Sequence, residues 1–492
     1  MDLAALQHLL GELPGKRVAC VGDLMVDRFV YGGVSRVSPE APIPVLARSH
    51  ELKMLGGAGN VARNIAALGG SVALVGLVGG DAEGHDASRL VGEEEPAIEG
   101  YLVTDADRPT TLKTRFISGG QQLLRVDLEE SRPVTGEVEQ RLIRTIRDAA
   151  RGAGVVLISD YGKGVVTDAV IAAAHEVAAE TGAKVIVDSK ARSFARYGDI
   201  DLVKPNASEL AYATDMPTET DAELEAAIAR ALELWSTKGV LVTRAAKGVS
   251  LGLRGQPVRH FRTVAREVFD ASGAGDTALA ALGLAIAAGA DLDTAIGFAQ
   301  LASGVAVGKA GTATVSPDEL VEAVLSAHTA VVEGKVATIQ RLGEEVARWR
   351  AQGLKVGFTN GCFDILHKGH VAYLAQARTW CDRLIVGVNS DASVRELKGE
   401  GRPVNDLESR ALVLASLRSV DLVAPFEEPT PLRLIEAARP DVLIKGADYT
   451  EDEVVGGDLV KSWGGEVKLA EIVDGYSTSA AIARIARKEA NG

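Results

Sequence analysis

The sequence has few cysteines, few aromatic residues and no long hydrophobic run. Its three cysteines have no CxxC spacing, which excludes a disulfide-rich scaffold and favours reduced thiols. The longest uncharged apolar run, residues 277–290, is too short to cross a bilayer. The first residues lack the basic segment and apolar core of a signal peptide. These absences predict a cytoplasmic protein with no membrane segment.

Positive charge is also scarce, because 53 Lys and Arg stand against 67 Asp and Glu, a formal net charge of −14. A protein that binds nucleic acid needs a basic face, so the composition predicts no nucleic-acid partner. A small anion such as ATP is not excluded, since helix N-termini and a few local cations can bind it.

The sequence does contain short β-branched runs that alternate with helical segments. One series lies at 17–27, 71–81, 154–162, 184–190 and 239–248, and a second lies at 355–364, 383–391, 421–428 and 441–449. Such alternation predicts parallel strands with crossover helices, and 492 residues predict more than one domain. Because 316–353 has a helical pattern without strands, we predict domains at 1–330 and 354–492 with a helical linker at 331–353.

The sharpest motif of the first half is "DASGAGD" at 270–276, which precedes a long apolar helix. Gly273, Ala274 and Gly275 would present backbone N–H groups and the positive end of the helix to an anion. Asp276 beside them could take the proton of an attacking hydroxyl while the N–H groups stabilise the transferred charge. The alternative is that Asp276 only caps the helix.

Two earlier stretches place polar residues and glycines where an α/β sheet binds its ligands. Asp23 and Asp27 follow an apolar strand, so they could accept hydrogen bonds from a polyol or lie in a solvated loop. Gly56 and Gly57, in "GGAGNVARNIAALGG" at 56–70, would let backbone approach a ligand, although many helix N-termini look alike.

These motifs, with "KPNASEL" at 204–210, resemble the ribokinase-like, PfkB-type carbohydrate kinases over residues 1 to about 330. The resemblance implies an α/β domain with a β lid, Asp276 as catalytic base and the preceding glycines as an anion hole. It also implies that Asn206 and Glu209 act on Mg·ATP, with Mg²⁺ near Glu209. The implied sugar-binding residues are Asp23, Asp27, Gly56, Gly57 and Asn60.

In the second half, "TNGCFDILHKGH" at 359–370 places two histidines three residues apart after a strand and a glycine turn. His367 and His370 could bind a metal, yet a helical zinc pair is spaced by four residues and no matching ligands follow. Alternatively, Gly369 leaves room for a phosphate chain, and both imidazoles stabilise charge as pyrophosphate leaves.

The H-x-G-H pattern resembles the cytidylyltransferase-like nucleotidyl transferases, which have a Rossmann-like domain. "LIKGADY" at 443–449 and "DGYSTSAAIARI" at 474–485 fit the same family. The resemblance implies that Arg410 orients the site and that Lys445 lies near the nucleotide phosphates; a solvent-exposed strand-end lysine is the alternative for Lys445. The implied nucleotide-binding residues are Asn360, Gly361, Phe363, Gly369, Lys445, Ser477, Thr478 and Ser479.

The order of the two halves resembles the bifunctional heptose 7-phosphate kinases and heptose 1-phosphate adenylyltransferases of Gram-negative bacteria over essentially the whole chain. "SRVSPEAPIPV" at 35–45 and "LKGEGRPVN" at 397–405 belong to that resemblance. It implies phosphorylation of D-glycero-β-D-manno-heptose 7-phosphate at O1 by ATP, and adenylyl transfer from ATP to heptose 1-phosphate with release of pyrophosphate. A separate phosphatase would act between the two steps, and the protein would be a homodimer.

The far end of such a sugar phosphate needs cations. Lys113 and Arg115 alternate along a strand-like stretch of the expected lid, so they could bind the 7-phosphate or form lid-surface salt bridges. A kinase joined to a cytidylyltransferase that acts on another sugar or polyol phosphate remains the alternative function.

Overall fold

A computed structural model of the protein describes residues 1–94, 98–262, 272–309 and 311–471. The chain divides into two compact units, Met1–Val324 and Leu325–Gly492. The expected boundaries at residues 330 and 353 stay a prediction.

The strands of the first unit are β1 (Arg17–Gly22), β2 (Leu24–Val37), β3 (Pro44–Gly57), β4 (Ser71–Gly79), β5 (Glu99–Asp105), β6 (Leu112–Ser118), β7 (Gln121–Leu128), β8 (Val155–Asp160), β9 (Lys184–Ser189), β10 (Leu202–Val203), β11 (Gly239–Thr243), β12 (Val249–Leu253) and β13 (Arg259–Phe261). Its helices are α1 (Leu3–Glu12), α2 (Ala58–Ala67), α3 (Ala82–Glu93), α4 (Gly136–Ala149), α5 (Asp168–Thr181), α6 (Ala207–Thr214), α7 (Asp221–Leu234), α8 (Ala274–Ala287) and α9 (Leu292–Ala306), followed by α10 (Pro317–Glu333), within which the division of the units falls.

Within the described residues, the main sheet of the first unit has the strand order β13-β12-β11-β10-β9-β8-β1-β4-β5. Strands from β11 to β5 pair in parallel, and β12 and β13 are antiparallel. All six residues of β8 are buried, as expected for a strand that helices cover on both faces. The strand order changes direction at β1, and in open α/β sheets ligands bind beside the carboxyl ends of the strands at such a point.

A separate sheet in this unit has the order β3-β2-β6-β7. β7 is exposed along its whole length, as are the middle of β3 and the end of β2, so this sheet is the predicted lid. The α/β fold with a β lid is therefore confirmed. Helix α8 is apolar around most of its circumference and buried between α2, α9 and the main sheet, which fixes the position of its first turn.

The second unit contains strands β14 (Val356–Gly361), β15 (Arg383–Asn389), β16 (Leu422–Phe426), β17 (Val442–Gly446) and β18 (Glu466–Ala470), and helices α11 (Ile339–Ala351), α12 (Lys368–Arg378), α13 (Asp391–Lys398), α14 (Leu407–Ala415), α15 (Leu432–Ala438) and α16 (Gly457–Ser462). Over its described part, the sheet order is β16-β15-β14-β17-β18, and every pairing is parallel. This Rossmann-like arrangement confirms the fold predicted for the second half. Its order changes direction at β14, immediately before the two histidines.

Helix α11 lies inside the segment predicted as a linker. Its residues Leu342, Val346 and Trp349 are buried in one hydrophobic core with Phe358 and Ile385 of the sheet. Helix α11 is thus part of the hydrophobic core of the second unit. Among the helices that the structure describes, none has the length and apolar character that a membrane span requires.

Two candidate active sites

Asp276 lies in the first turn of α8, three residues after the N-cap Gly273, which has a left-handed φ of 75°. Only 5% of Asp276 is exposed. Its Oδ2 accepts a hydrogen bond from Asn60 Nδ2 at 2.9 Å, and its Oδ1 accepts one from the Tyr161 hydroxyl at 2.7 Å. Burial raises the pKa of Asp276 to about 6, although both hydrogen bonds lower it. The carboxylate is therefore a stronger base than a surface aspartate and is still ionised at neutral pH.

A buried chain of polar side chains orients Asn60. The Thr277 hydroxyl donates to Asn64 Oδ1 at 3.2 Å, and Asn64 Nδ2 donates to Asn60 Oδ1 at 3.2 Å. The amide nitrogen of Asn60 is therefore the group that faces Asp276. The sugar-binding role expected for Asn60 stays a prediction, and in the structure its amide nitrogen contacts the expected base.

Asp23, also expected at the sugar, is buried at the end of β1. Its carboxylate accepts backbone N–H groups from Tyr161 at 2.7 Å, Lys163 at 3.0 Å and Val165 at 3.3 Å. Burial raises the pKa of Asp23 to about 6, against the effect of these hydrogen bonds. Asp23 thereby holds the turn at 161–165 that follows β8.

The lid brings the other expected sugar ligands together. Asp27 Oδ1 lies 2.5 Å from Arg115 Nη1, and both side chains are largely buried. Lys113 pairs with Asp27 in strand register, and burial lowers the pKa of its amine. A Cβ atom on Gly56 would lie 2.3 Å from Asp27 Oδ2, so a larger residue there would displace the Asp27 carboxylate. Gly57 has a left-handed φ of 58° and precedes α2.

On the nucleotide side, Asn206 and Glu209 form a capping box at the start of α6, each side chain bonded to the other residue's backbone N–H at 2.8 Å. Glu209 also pairs with Lys190 at 2.5 Å. The N-x-x-E spacing therefore serves to cap α6. In that position the carboxylate of Glu209 lies beside the ammonium of Lys190.

Sequence reasoning missed Lys204 and Asp188, which form a buried ion pair at 2.6 Å. The Lys204 Nζ atom lies 3.9 Å from where a Cβ atom on Gly275 would be, so this ammonium lies beside the N-terminus of α8. The sequence did offer one indication of Lys204, because this lysine follows a strand and lies two residues before the N-x-x-E motif.

In the second unit, His367 is the N-cap residue of α12 and His370 lies in its first turn. Their rings stack with centroids 3.9 Å apart, and the edge of Phe363 contacts His370 at 5.3 Å between centroids. Burial and the neighbouring His367 lower the pKa of His370 to about 4. Among the described residues, His370 Nδ1 has no hydrogen-bond partner. Gly369 lies between the two histidines, where the N–H groups of α12 begin.

Asn360 and Gly361 end β14, and the following loop is held from two sides. Arg410, fully buried, donates to the carbonyl oxygens of Cys362 at 2.6 Å and Asn389 at 2.8 Å. Asp364 pairs with Arg402 and accepts the Val404 N–H at 2.6 Å. The predicted orienting role of Arg410 is consistent with these contacts, whereas Asp364 and Arg402 were missed.

Lys445, at the end of β17, lies within the site. Its Nζ donates to the carbonyl oxygen of Asn360 at 3.3 Å, and burial lowers its pKa to about 8. Phe363, before the histidines, has a left-handed φ of 45°, which is costly for an aromatic residue and turns the loop toward α12. The expected phosphate ligands Ser477, Thr478 and Ser479 lie outside the described residues.

Each half of the chain matches a known protein family. Residues 16–319 match the pfkB family carbohydrate kinase, and residues 358–484 match the Cytidylyltransferase-like family. The chain is 50% identical over 479 residues to the bifunctional protein HldE of Hyphomonas neptunium, covering 97% of this chain and 98% of that protein. It is 51% identical over 482 residues to the bifunctional protein HldE of Caulobacter vibrioides, covering 98% and 99%.

The first unit also resembles solved structures in fold. The crystal structure of phosphofructokinase-2 from Escherichia coli in complex with substrates and products matches with a TM-score of 0.54 and 22% identity, covering 63% of this chain and 99% of that chain. At 22% identity this match shows similarity of fold alone. The shared fold is consistent with the sheet and lid described above.

Proposed function

The chain belongs to the family of bifunctional HldE proteins, and from that membership we propose how its two sites divide the work. It is a bifunctional enzyme, a heptose phosphate kinase and adenylyltransferase. We assign phosphorylation of D-glycero-β-D-manno-heptose 7-phosphate at O1 to the first unit, and adenylyl transfer from ATP to heptose 1-phosphate to the second. The buried carboxylate of Asp276 at the start of α8 is the observation that carries the kinase assignment.

In the kinase step, Asp276 takes the proton of the sugar hydroxyl while the hydroxyl oxygen attacks the γ-phosphorus of ATP. The bond from that phosphorus to the bridging oxygen breaks, and ADP leaves. We propose that the transferred charge is stabilised by the N–H groups of Gly273, Ala274 and Gly275 at the start of α8 and by the nearby ammonium of Lys204.

The residues near Glu209 fit a magnesium ion, as the kinase chemistry requires. Mg²⁺ prefers one or two carboxylates together with substrate phosphates and water. Burial lowers the pKa of the Lys190 amine, but Asp188 and Glu209 raise it more, so each of these carboxylates lies near that ammonium group. We propose that Glu209 holds Mg²⁺, which would neutralise phosphate charge when bound.

The far phosphate of the sugar is assigned to the lid. Among the described residues, Lys113 forms no ion pair with an acidic side chain, whereas Arg115 is already paired with Asp27. We therefore propose that Lys113 binds the 7-phosphate directly and that Arg115 positions Asp27 toward the sugar. We retain Gly56 and Gly57 as sites of close backbone approach.

In the second step, a phosphate oxygen of heptose 1-phosphate attacks the α-phosphorus of ATP, and the bond to the leaving pyrophosphate breaks. His367, His370 and Lys445 stabilise the triphosphate charge, with backbone at Asn360, Gly361 and Gly369 close by. His370 is neutral alone, and the negative charge of a triphosphate raises its pKa and favours the protonated, donating form. We retain Ser477, Thr478 and Ser479 as phosphate ligands.

The external partners follow from this chemistry. A separate phosphatase must remove the 7-phosphate between the two steps, without a stable complex. The lid exposes Leu124, Val126 and Leu128 on one face of β7. We propose that a second copy covers this face in a homodimer, and that the enzyme acts in the cytoplasm, where ATP and sugar phosphates are available. Val126→Glu should then shift the protein from dimer to monomer in light scattering.

Product analysis by mass spectrometry tests the assignment. With ATP and heptose 7-phosphate the protein should form ADP and heptose 1,7-bisphosphate, and with an added phosphatase it should form ADP-heptose and pyrophosphate. Absence of the bisphosphate would refute the kinase assignment. Because the second half matches a cytidylyltransferase-like family, CTP is run in parallel; a preferred CDP-sugar product would replace the adenylyltransferase assignment.

A further inference from the structure

Tyr161 lies directly after β8 and contacts the carboxylate on which the proposed kinase step depends. Its hydroxyl donates to Asp276 Oδ1 at 2.7 Å. Burial, with Asp276 and other acidic neighbours, raises the pKa of Tyr161 well above its ordinary value. The phenol therefore stays protonated across the physiological range and acts as a hydrogen-bond donor to Asp276.

The position of the phenol is itself determined by several contacts. The Tyr161 backbone N–H donates to the buried carboxylate of Asp23 at 2.7 Å, within a turn that donates to Asp23 twice more. The ammonium groups of Lys113 and Lys190 lie 5.6 Å and 5.8 Å from the ring centroid. Cations near an aromatic face are attracted by it, so these two lysines further restrain the ring.

Asp276 therefore has one donor on each carboxylate oxygen, Asn60 on Oδ2 and Tyr161 on Oδ1. An ionised carboxylate has about four lone-pair directions, so two remain available for a proton. Rotation of the carboxylate about its Cβ–Cγ bond would break one or both of these bonds.

We propose that Tyr161 is a positioning residue for the kinase reaction: its hydroxyl, together with the Asn60 amide, holds the plane of the Asp276 carboxylate so that a free lone pair faces the acceptor hydroxyl of the sugar. The inference rests on the proposed role of Asp276 as base. Asp23 then acts on the reaction through the turn that carries Tyr161.

Loss of this donor has two separable consequences. The charged form of Asp276 loses a hydrogen bond, so its pKa rises and the acidic limb of the kinase pH profile moves to higher pH. The carboxylate also loses its fixed orientation, so turnover falls even where Asp276 is fully ionised. A tyrosine that only packed in the core would produce neither effect selectively.

The experiment compares Tyr161→Phe with Tyr197→Phe in the full-length protein. Tyr197 is a matched control, because its buried hydroxyl donates to the Asp160 carboxylate at 2.6 Å and does not contact Asp276. For Tyr161→Phe we expect the acidic limb of kcat/KM to move up by roughly one pH unit. At high pH we expect kcat to fall about tenfold with the KM for ATP unchanged. Tyr197→Phe should leave the limb in place.

A second variant tests the same role in case Tyr161→Phe does not fold. Incorporation of 3-fluorotyrosine at position 161 keeps the shape and makes the hydroxyl a stronger donor, so the acidic limb should move to lower pH. An unmoved limb in both Tyr161 variants, or an equal shift in Tyr197→Phe, would overturn the role of Tyr161. If kinase turnover survives Asp276→Asn, the base assignment itself fails, which is a distinguishable result.

Discussion

Burial shifts the pKa of one key side chain in each of the two candidate sites, an acid in the first and a base in the second. In the first unit it acts on a carboxylate and raises the pKa of Asp276 to about 6, and in the second it acts on an imidazole and lowers the pKa of His370 to about 4. Both groups are driven toward their neutral forms because a charge loses solvation in the protein interior. The result is a strengthened proton acceptor in one site and a neutral, weakly basic ring in the other.

The two sites also differ in how their hydrogen bonds are satisfied. Both oxygens of Asp276 are bonded within the protein, by Asn60 and Tyr161. In contrast, His370 Nδ1 has no partner among the residues that the structure describes. A base that must accept one proton benefits from a fixed orientation, whereas a group that stabilises a leaving pyrophosphate must keep its hydrogen bonding for the substrate.

The largest expected effect is that of Asp276→Asn, which keeps the size of the side chain and removes its basicity. Kinase turnover should fall by roughly a hundredfold or more, because general-base catalysis is lost. Adenylyl transfer from ATP to heptose 1-phosphate by the same protein should persist. Turnover is measured for each reaction separately; near-normal kinase turnover would remove Asp276 from the mechanism.

His370→Ala should produce the reverse pattern. Adenylyl transfer should lose roughly a hundredfold in kcat, with a smaller change in ATP affinity, because a leaving-group stabiliser acts mainly in the transition state. Steady-state kinetics and ATP titration test this, with kinase turnover as the internal control. A metal role would show instead as stoichiometric zinc in the parent protein that is lost in the variant.

The pH dependence of kcat/KM should differ between the kinase reaction and adenylyl transfer when both are measured on the same protein preparation. Asp276 is active when ionised, so kcat/KM of the kinase should be constant at high pH and fall as the pH drops through about 6. In the free enzyme His370 stays neutral until the pH approaches about 4, so it should add no step to the kcat/KM of adenylyl transfer near neutrality. A transferase limb near the kinase limb that disappears in His370→Ala would contradict this difference.

The smallest expected effect is that of replacing Gly273 or Gly275, the two glycines of the proposed anion hole, with alanine. Gly273 has a left-handed φ of 75°, and a Cβ atom there would lie 2.8 Å from Asn60 Nδ2, whereas a Cβ atom on Gly275 would meet only Lys204 Nζ at 3.9 Å. Gly273→Ala should therefore lower both the melting temperature and kinase turnover, by a few-fold or more for turnover. Gly275→Ala should keep the melting temperature. Equal destabilisation by both substitutions would show that backbone conformation is not the cause.

Much of the architecture could be predicted from local sequence. Parallel strands that are buried on both faces must be apolar throughout, so the runs at 17–22 and 155–160 were recognisable as strands. The positions of Asp276 and of the two histidines at helix starts could be predicted from the sequence, because each lies within a few residues of a glycine turn. In such motifs the chemistry and the geometry are carried by neighbouring residues.

The tertiary structure decided what distant residues do to one another. Tyr161 is 115 residues from Asp276 and Lys204 is 16 residues from Asp188, so no local pattern links either pair. Arg115 and Asp27 looked like separate ligands in the sequence, yet the lid pairing joins them. The position of Asp23 after β1 predicted a sugar ligand, and the fold adds that its carboxylate accepts backbone N–H groups from a turn after β8. The sequence by itself determined which elements form and which motifs start them, because strands and helix starts depend on nearby residues. Only the packing of sheet, lid and helices decided which hydrogen-bond donors surround each buried carboxylate, because those donors come from residues that are distant in the sequence.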